Sequence, residues 1–107
     1  MLIKKGDIVL VKFPFINFEG TKNRPAVVLY AGKQDSLFCF ITSKVHWATE
    51  TDVFLEANNI NNLKRTSLIR TNKLMTIDNN LLLGKLGRLK NSEIRQLNSS
   101  LIQILNL

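Results

Sequence analysis

Gly6-Asp7-Ile8-Val9-Leu10-Val11-Lys12-Phe13-Pro14-Phe15-Ile16-Asn17-Phe18-Glu19-Gly20-Thr21-Lys22-Asn23-Arg24-Pro25-Ala26-Val27-Val28-Leu29-Tyr30 is the stretch that decides the fold. An alternating apolar strand runs into a polar loop rich in Gly, Asn and Lys, and a second apolar strand follows at once. That is the pattern of a long β-hairpin. Arg24 stands at its mouth, and Pro25 fixes the neighbouring backbone φ near about −65°. A planar, permanently charged fork pinned between two strands suits a phosphodiester better than a mobile surface Lys would. In an arbitrary hairpin such an Arg is merely solvated, and the rest of the chain weighs against that bland reading.

Working outward, strand patterns cover residues 8–13, 26–30, 37–42, 52–55, 67–70 and 73–76, β-branched and aromatic with turn residues between them. Leu37-Phe38-Cys39-Phe40-Ile41 is continuously apolar, which predicts a central strand or one covered on both faces. Asn58-Asn59-Ile60-Asn61-Asn62 is a turn cluster, because Asn tolerates left-handed backbone and bonds locally. Asp78 can cap a short helix over residues 79–83. After a cap at Asn91 or Ser92 the period changes. Ile94, Leu97, Leu101 and Ile104 recur at spacings of three and four, with Ile102 and Leu105 widening the stripe. Such a face packs on its own sheet or serves a dimer contact. The expectation is a mainly β protein, a small curled β-barrel closed by a C-terminal amphipathic helix.

The chain has 107 residues, which predicts a single domain spanning residues 1–107. Fifteen Lys and Arg against eight Asp and Glu leave a net charge of +7. An excess of that size on a small surface attracts polyanions, whether nucleic acid, acidic protein or anionic membrane. One cysteine, Cys39, can form neither an internal disulfide nor a zinc cluster, which fits a reducing cytosol. It reads as a small core residue. A dyad with the lone histidine, His46, lacks the context that nucleophilic catalysis needs. Lys4, Lys5 and Asp7 interrupt any N-terminal signal pattern, and no apolar run approaches the roughly 20 residues of a membrane span. A cytoplasmic protein without a membrane partner is expected.

The residues able to carry chemistry fall in two places. The first loop holds Glu19, Gly20, Thr21, Lys22 and Arg24, so acid and base groups share one segment. Thr42, Ser43 and Lys44 place two hydroxyls and a cation where an apolar strand runs out, and strand ends are where sites collect. By itself, a strand-terminal Thr is ordinary. No histidine pair, no metal-ligand spacing and no phosphate-cradling glycine motif occurs in the sequence. If the chain cleaves a phosphodiester, it must use Arg, hydroxyl and Glu19 rather than metal.

Several segments together resemble the MazF/PemK toxins of bacterial toxin–antitoxin systems. They are Gly6-Asp7-Ile8-Val9-Leu10-Val11, Arg24-Pro25 with its strand, Ile41-Thr42-Ser43, Leu74-Met75-Thr76-Ile77-Asp78 and Lys85-Leu86-Gly87-Arg88-Leu89. The resemblance implies a PemK/CcdB-like fold, an SH3-like β-barrel with a C-terminal helix, usually a homodimer. It implies a cofactor-free, metal-independent endoribonuclease that cuts single-stranded RNA at short sequences, leaving a 2′,3′-cyclic phosphate and a 5′-hydroxyl. A cognate antitoxin with an acidic segment would block the RNA groove. Carried over by position, the catalytic Arg is Arg24, the catalytic Thr is Thr42, and an acidic loop residue corresponds to Glu19. Phe18, Lys22, Asn23, Ser43, Lys44, Arg70 and Lys73 are expected to flank the RNA, with Phe18 offered for base stacking. The chain departs from the pattern at Met75, where many relatives carry Arg, and Ser43 beside Thr42 leaves two hydroxyls as candidates. A non-catalytic interaction module and a gyrase-targeting toxin of the same fold are the competing readings. Arg24 together with Thr42 favours RNA cleavage over both.

Overall fold

The structure, a computed structural model, describes residues 1–13 and 23–107. Six strands follow in order: β1 Asp7–Lys12, β2 Asn23–Ala31, β3 Asp35–Thr42, β4 Val53–Leu55, β5 Ser67–Asp78 and β6 Leu82–Arg88. The helix α1, Asn91–Leu105, comes last. Short 3₁₀ turns occupy Val45–Trp47 and Asn79–Leu81. All six strands join one antiparallel sheet in the order β4-β5-β3-β2-β1-β6.

Strand β3 is central and covered on both faces, which is why its sequence does not alternate. Cys39 and Ile41 join Ile8, Val27, Ile69 and Leu97 in one cluster, while Phe38 joins Val9, Val11, Ala26 and Val28 in the other. The segments 67–70 and 73–76 form one strand. The break between them is a bulge, since Phe40 pairs with Arg70 and Cys39 with Leu74, leaving Thr71 to Lys73 unmatched. The Thr71 hydroxyl donates to the Thr51 carbonyl at 2.7 Å, so the one buried side chain of the bulge is satisfied. Strand β6 has no alternation in sequence and was legible only as a paired edge of β1.

The barrel is an open one. The three-residue β4 and the glycine-bearing β6 are the two edges, and the chain between β4 and β5 ties them together. Arg88 N donates to the Ile60 carbonyl at 3.1 Å, and Asn62 Nδ2 donates to the Leu86 carbonyl at 2.6 Å. Asn61 fixes that loop from inside: it is fully buried, its Nδ2 donates to the Glu56 carbonyl at 2.8 Å, and its Oδ1 accepts from Leu63 N at 3.0 Å.

The Gly6-Asp7 pair sets the start of β1. Gly6 has φ +92°, and a Cβ there would come 2.9 Å from the Ile94 side chain. Asp7 Oδ2 accepts from Lys4 N at 3.0 Å, and Oδ1 lies 3.2 Å from Lys85 Nζ. The buried carboxylate therefore closes the entry turn and clasps β6. The N-cap of helix α1 is Lys90, one residue before the earlier of the expected caps, with the Glu93 carboxylate accepting from Lys90 N at 2.8 Å. Leu97 is fully buried, Ile94 and Leu101 pack beside it, and Ile102 and Leu105 stay about half exposed. Asp78 caps a 3₁₀ turn rather than a longer helix, accepting from Asn80 N at 2.8 Å.

Burial pushes the Cys39 thiol up to about 12 from its ordinary 9.0. The thiolate is the reactive form, so Cys39 should resist thiol reagents at neutral pH until the protein unfolds. The sign of the linkage follows. Between pH 9 and 12 the unfolded thiol ionises while the folded one does not, so this contribution is present below 9 and lost as pH rises. A Cys39→Ala variant should lose stability less steeply over that window, measured by chemical denaturation at stepped pH. Equal slopes would place the thiol in water.

Candidate functional site

A cleft of about 550 Å³ opens where β2, β3 and the β4–β5 loop end together. Its apolar floor is Leu10, Pro25, Ile41, Leu63 and Leu86. Its rim carries Arg24, Lys44, Lys64 and Arg65, with Asn23, Thr42, Ser43, Asn62 and Ser67 between them. Among the described residues no carboxylate lines it. Four cations around a low-dielectric floor focus a positive potential on whatever enters.

The sheet brings Arg24 and Thr42 to the same cleft. Val28 pairs with Phe38, Val27 with Cys39 and Ala26 with Phe40. The β2–β3 pairing ends at Ala26 and Phe40; Arg24 and Thr42 each stand two residues beyond that pair, and both line the cleft. Arg24 is also placed by β1, where its partner is Val11. Its guanidinium carbon lies 6.0 Å from the centre of the Phe13 ring, which meets Phe40 edge-on at 5.3 Å. Among the described residues no carboxylate lies within ion-pair distance of Arg24. Thr42 Oγ1 accepts from Lys44 N at 3.2 Å. With that acceptor direction taken by backbone, the Thr42 O–H is left to donate outward.

Of the residues expected from sequence, Asn23, Arg24, Thr42, Ser43 and Lys44 share this cleft. Phe18, Glu19 and Lys22 lie outside the described residues. Arg70 and Lys73 are not among the lining residues. The Arg70 side chain is 14% exposed, with Nε 3.4 Å from Asp52 Oδ2, and Lys73 stands exposed on the β5 bulge. Lys64 and Arg65 went unread in the sequence. Their signal was a basic doublet between the Asn-rich turn and the next strand, but only the tie of that loop to β6 swings it toward β2. Among the described residues no three His, Cys, Asp or Glu side chains converge as metal ligands, and no helix is long and apolar enough to cross a membrane.

Fold and site together define a class: small antiparallel rolls, open at one edge, braced by a C-terminal helix, with a cationic cleft at the strand ends. Residues 4–105 match the family of PemK-like, MazF-like toxins of type II toxin–antitoxin systems, and the chain belongs to that family. Solved structures agree on the fold. The Mycobacterium tuberculosis toxin MazF-mt6 superposes with a TM-score of 0.79 at 21% identity, covering 94% of this chain and 97% of that one. MazF from Deinococcus radiodurans gives 0.79 at 18% identity over 100% and 99%. An endoribonuclease in complex with its cognate antitoxin, from a mycobacterial species, gives 0.75 at 14% identity over 98% and 94%. No curated protein matches the chain by sequence.

Proposed function

We propose that the chain is a metal-independent endoribonuclease toxin that cuts single-stranded RNA by 2′-hydroxyl transfer. The observation that carries this reading is that Arg24 and Thr42 line one cleft together, with four cations and no described carboxylate. RNA supplies its own nucleophile. The 2′-oxygen forms a bond to phosphorus as the 5′-oxygen leaves; the 2′-hydroxyl proton departs and a proton is returned to the 5′-oxygen. The products are a 2′,3′-cyclic phosphate and a 5′-hydroxyl, and no water is consumed. What the protein must add is in-line positioning and stabilisation of the extra charge on the phosphoryl oxygens. Arg24 supplies the charge, the Thr42 O–H donates to a non-bridging oxygen, and Glu19 is the candidate proton acceptor. DNA lacks the nucleophile and is excluded.

A cognate antitoxin fits the same cleft, since an acidic segment presents charge in the sense of a phosphate chain. The working unit in this reading is a homodimer. The test is incubation of pure protein with single-stranded RNA in EDTA. Fragments ending in cyclic phosphate and beginning with 5′-hydroxyl are expected. Cleavage that requires Mg²⁺, or leaves 5′-phosphate, would replace this mechanism with a water-attack one.

A further inference from the structure

Trp47 is the only tryptophan of the chain, and 48% of its surface lies in solvent. A ring that exposed is held by more contacts than a loop residue needs. Lys44 Nζ sits 4.6 Å from its centre and Arg70 Cζ 5.9 Å. Arg70 is in turn fixed by Asp52, whose carboxylate also accepts from Thr49 N at 2.9 Å. The His46 ring meets the indole edge-on at 5.7 Å.

The backbone under the ring is equally set. Val45 N donates to the Ser43 carbonyl at 2.9 Å, Trp47 N to the Lys44 carbonyl at 3.0 Å, and Ala48 N to the Val45 carbonyl at 3.1 Å. This turn starts at Thr42, whose hydroxyl accepts the Lys44 N–H. Lys44 belongs to both places, lining the cleft and covering the indole. A half-exposed aromatic ring, two flanking cations and a rigid link to the Thr42 end of the cleft match the repeating unit of a single strand, base beside phosphate. An acidic peptide would use the cations but has no need of the ring.

We propose that Trp47 is a stacking platform for an RNA base flanking the phosphate held at Arg24 and Thr42, a subsite that rests on the endoribonuclease reading. The base lies on the exposed indole, and the Lys44 ammonium exchanges its ring contact for the neighbouring phosphate. Arg70 stays with Asp52 and orients the ring.

The lone tryptophan makes its own probe. The protein is titrated with a single-stranded 2′-O-methyl octanucleotide pool, which cannot be cleaved by 2′-hydroxyl transfer. Intrinsic fluorescence reports stacking, and anisotropy of a labelled pool reports affinity. Saturable quenching is expected, with affinity lowered about tenfold in Trp47→Ala and largely kept in Trp47→Phe. Thermal midpoints near wild type in both variants would separate stacking from a structural role. Binding without quenching, equal affinity in Trp47→Ala, or quenching by poly-glutamate but not by the oligonucleotide would overturn the platform, the last in favour of a protein partner. Quenching and the affinity loss in a protein that cleaves no unmodified RNA would leave the platform standing and remove the nuclease reading alone.

Discussion

Arg24→Ala is expected to slow RNA cleavage by about 10²-fold or more, the usual cost of deleting a preorganised charge stabiliser. The reason lies in how the guanidinium is held. It sits at the start of β2, held by pairing with β1, with the Phe13 ring on one side and Thr42 in the same cleft. The remaining rim cations, Lys44, Lys64 and Arg65, stand on other segments and cannot supply a planar fork at that point. Arg24→Lys keeps the charge without the fork, so it should recover only part of the rate. The fold should tolerate both changes, because Arg24 is half-buried and has no described carboxylate partner. Single-turnover rates in EDTA, with thermal midpoints as control, decide the matter. A full rate in Arg24→Ala would move the chemistry elsewhere.

Gly87→Ala should be a strongly damaging small substitution outside the site. A Cβ at Gly87 would lie 2.3 Å from the Ile60 carbonyl oxygen and 2.7 Å from the Asn61 backbone. Those atoms belong to the loop that closes the open roll, so the clash acts on backbone that cannot simply rotate away. We expect a loss of about 2–3 kcal/mol, within the range of overpacking a tight site. For a domain of this size that is a fall of roughly 10–20 °C in thermal midpoint. RNA affinity should fall as well, because the same loop carries Lys64 and Arg65. Gly84→Ala is the internal control: among the described residues nothing lies within 4 Å of a Cβ there, and it is in the same strand. Equal melting of the two variants would mean that the loop does not brace β6.

Local pattern determined a good deal of this molecule by itself. Alternation and turn residues set β1, β2, β3 and β4 close to their observed bounds, and the spacing of Ile94, Leu97 and Leu101 set α1, because side-chain period is a local property of the backbone. The unbroken run through Phe38 and Cys39 announced a strand buried on both faces. Arg24 beside Pro25 was legible as a candidate for chemistry, whereas the strand-end Thr42 became one only through the family resemblance, since a strand-terminal Thr is ordinary by itself.

What only the tertiary structure decided is who faces whom. Strand β6 has two glycines and no alternation, so its pairing to β1 at the edge of the open sheet follows from tertiary packing rather than from its own residues. Arg70, expected beside the RNA, is outside the cleft lining and stands with Asp52 and Trp47, three residues along β5 from the cleft-lining Ser67. Lys64 and Arg65 enter the cleft through Asn62 and Gly87, contacts between residues more than 20 positions apart. Register is the deepest case. A slip of one residue between β2 and β3 would move Phe38 and Cys39 to the wrong clusters, and no single strand carries the information that prevents it. Both buried faces of the sheet, satisfied at once, hold that register and so make the site.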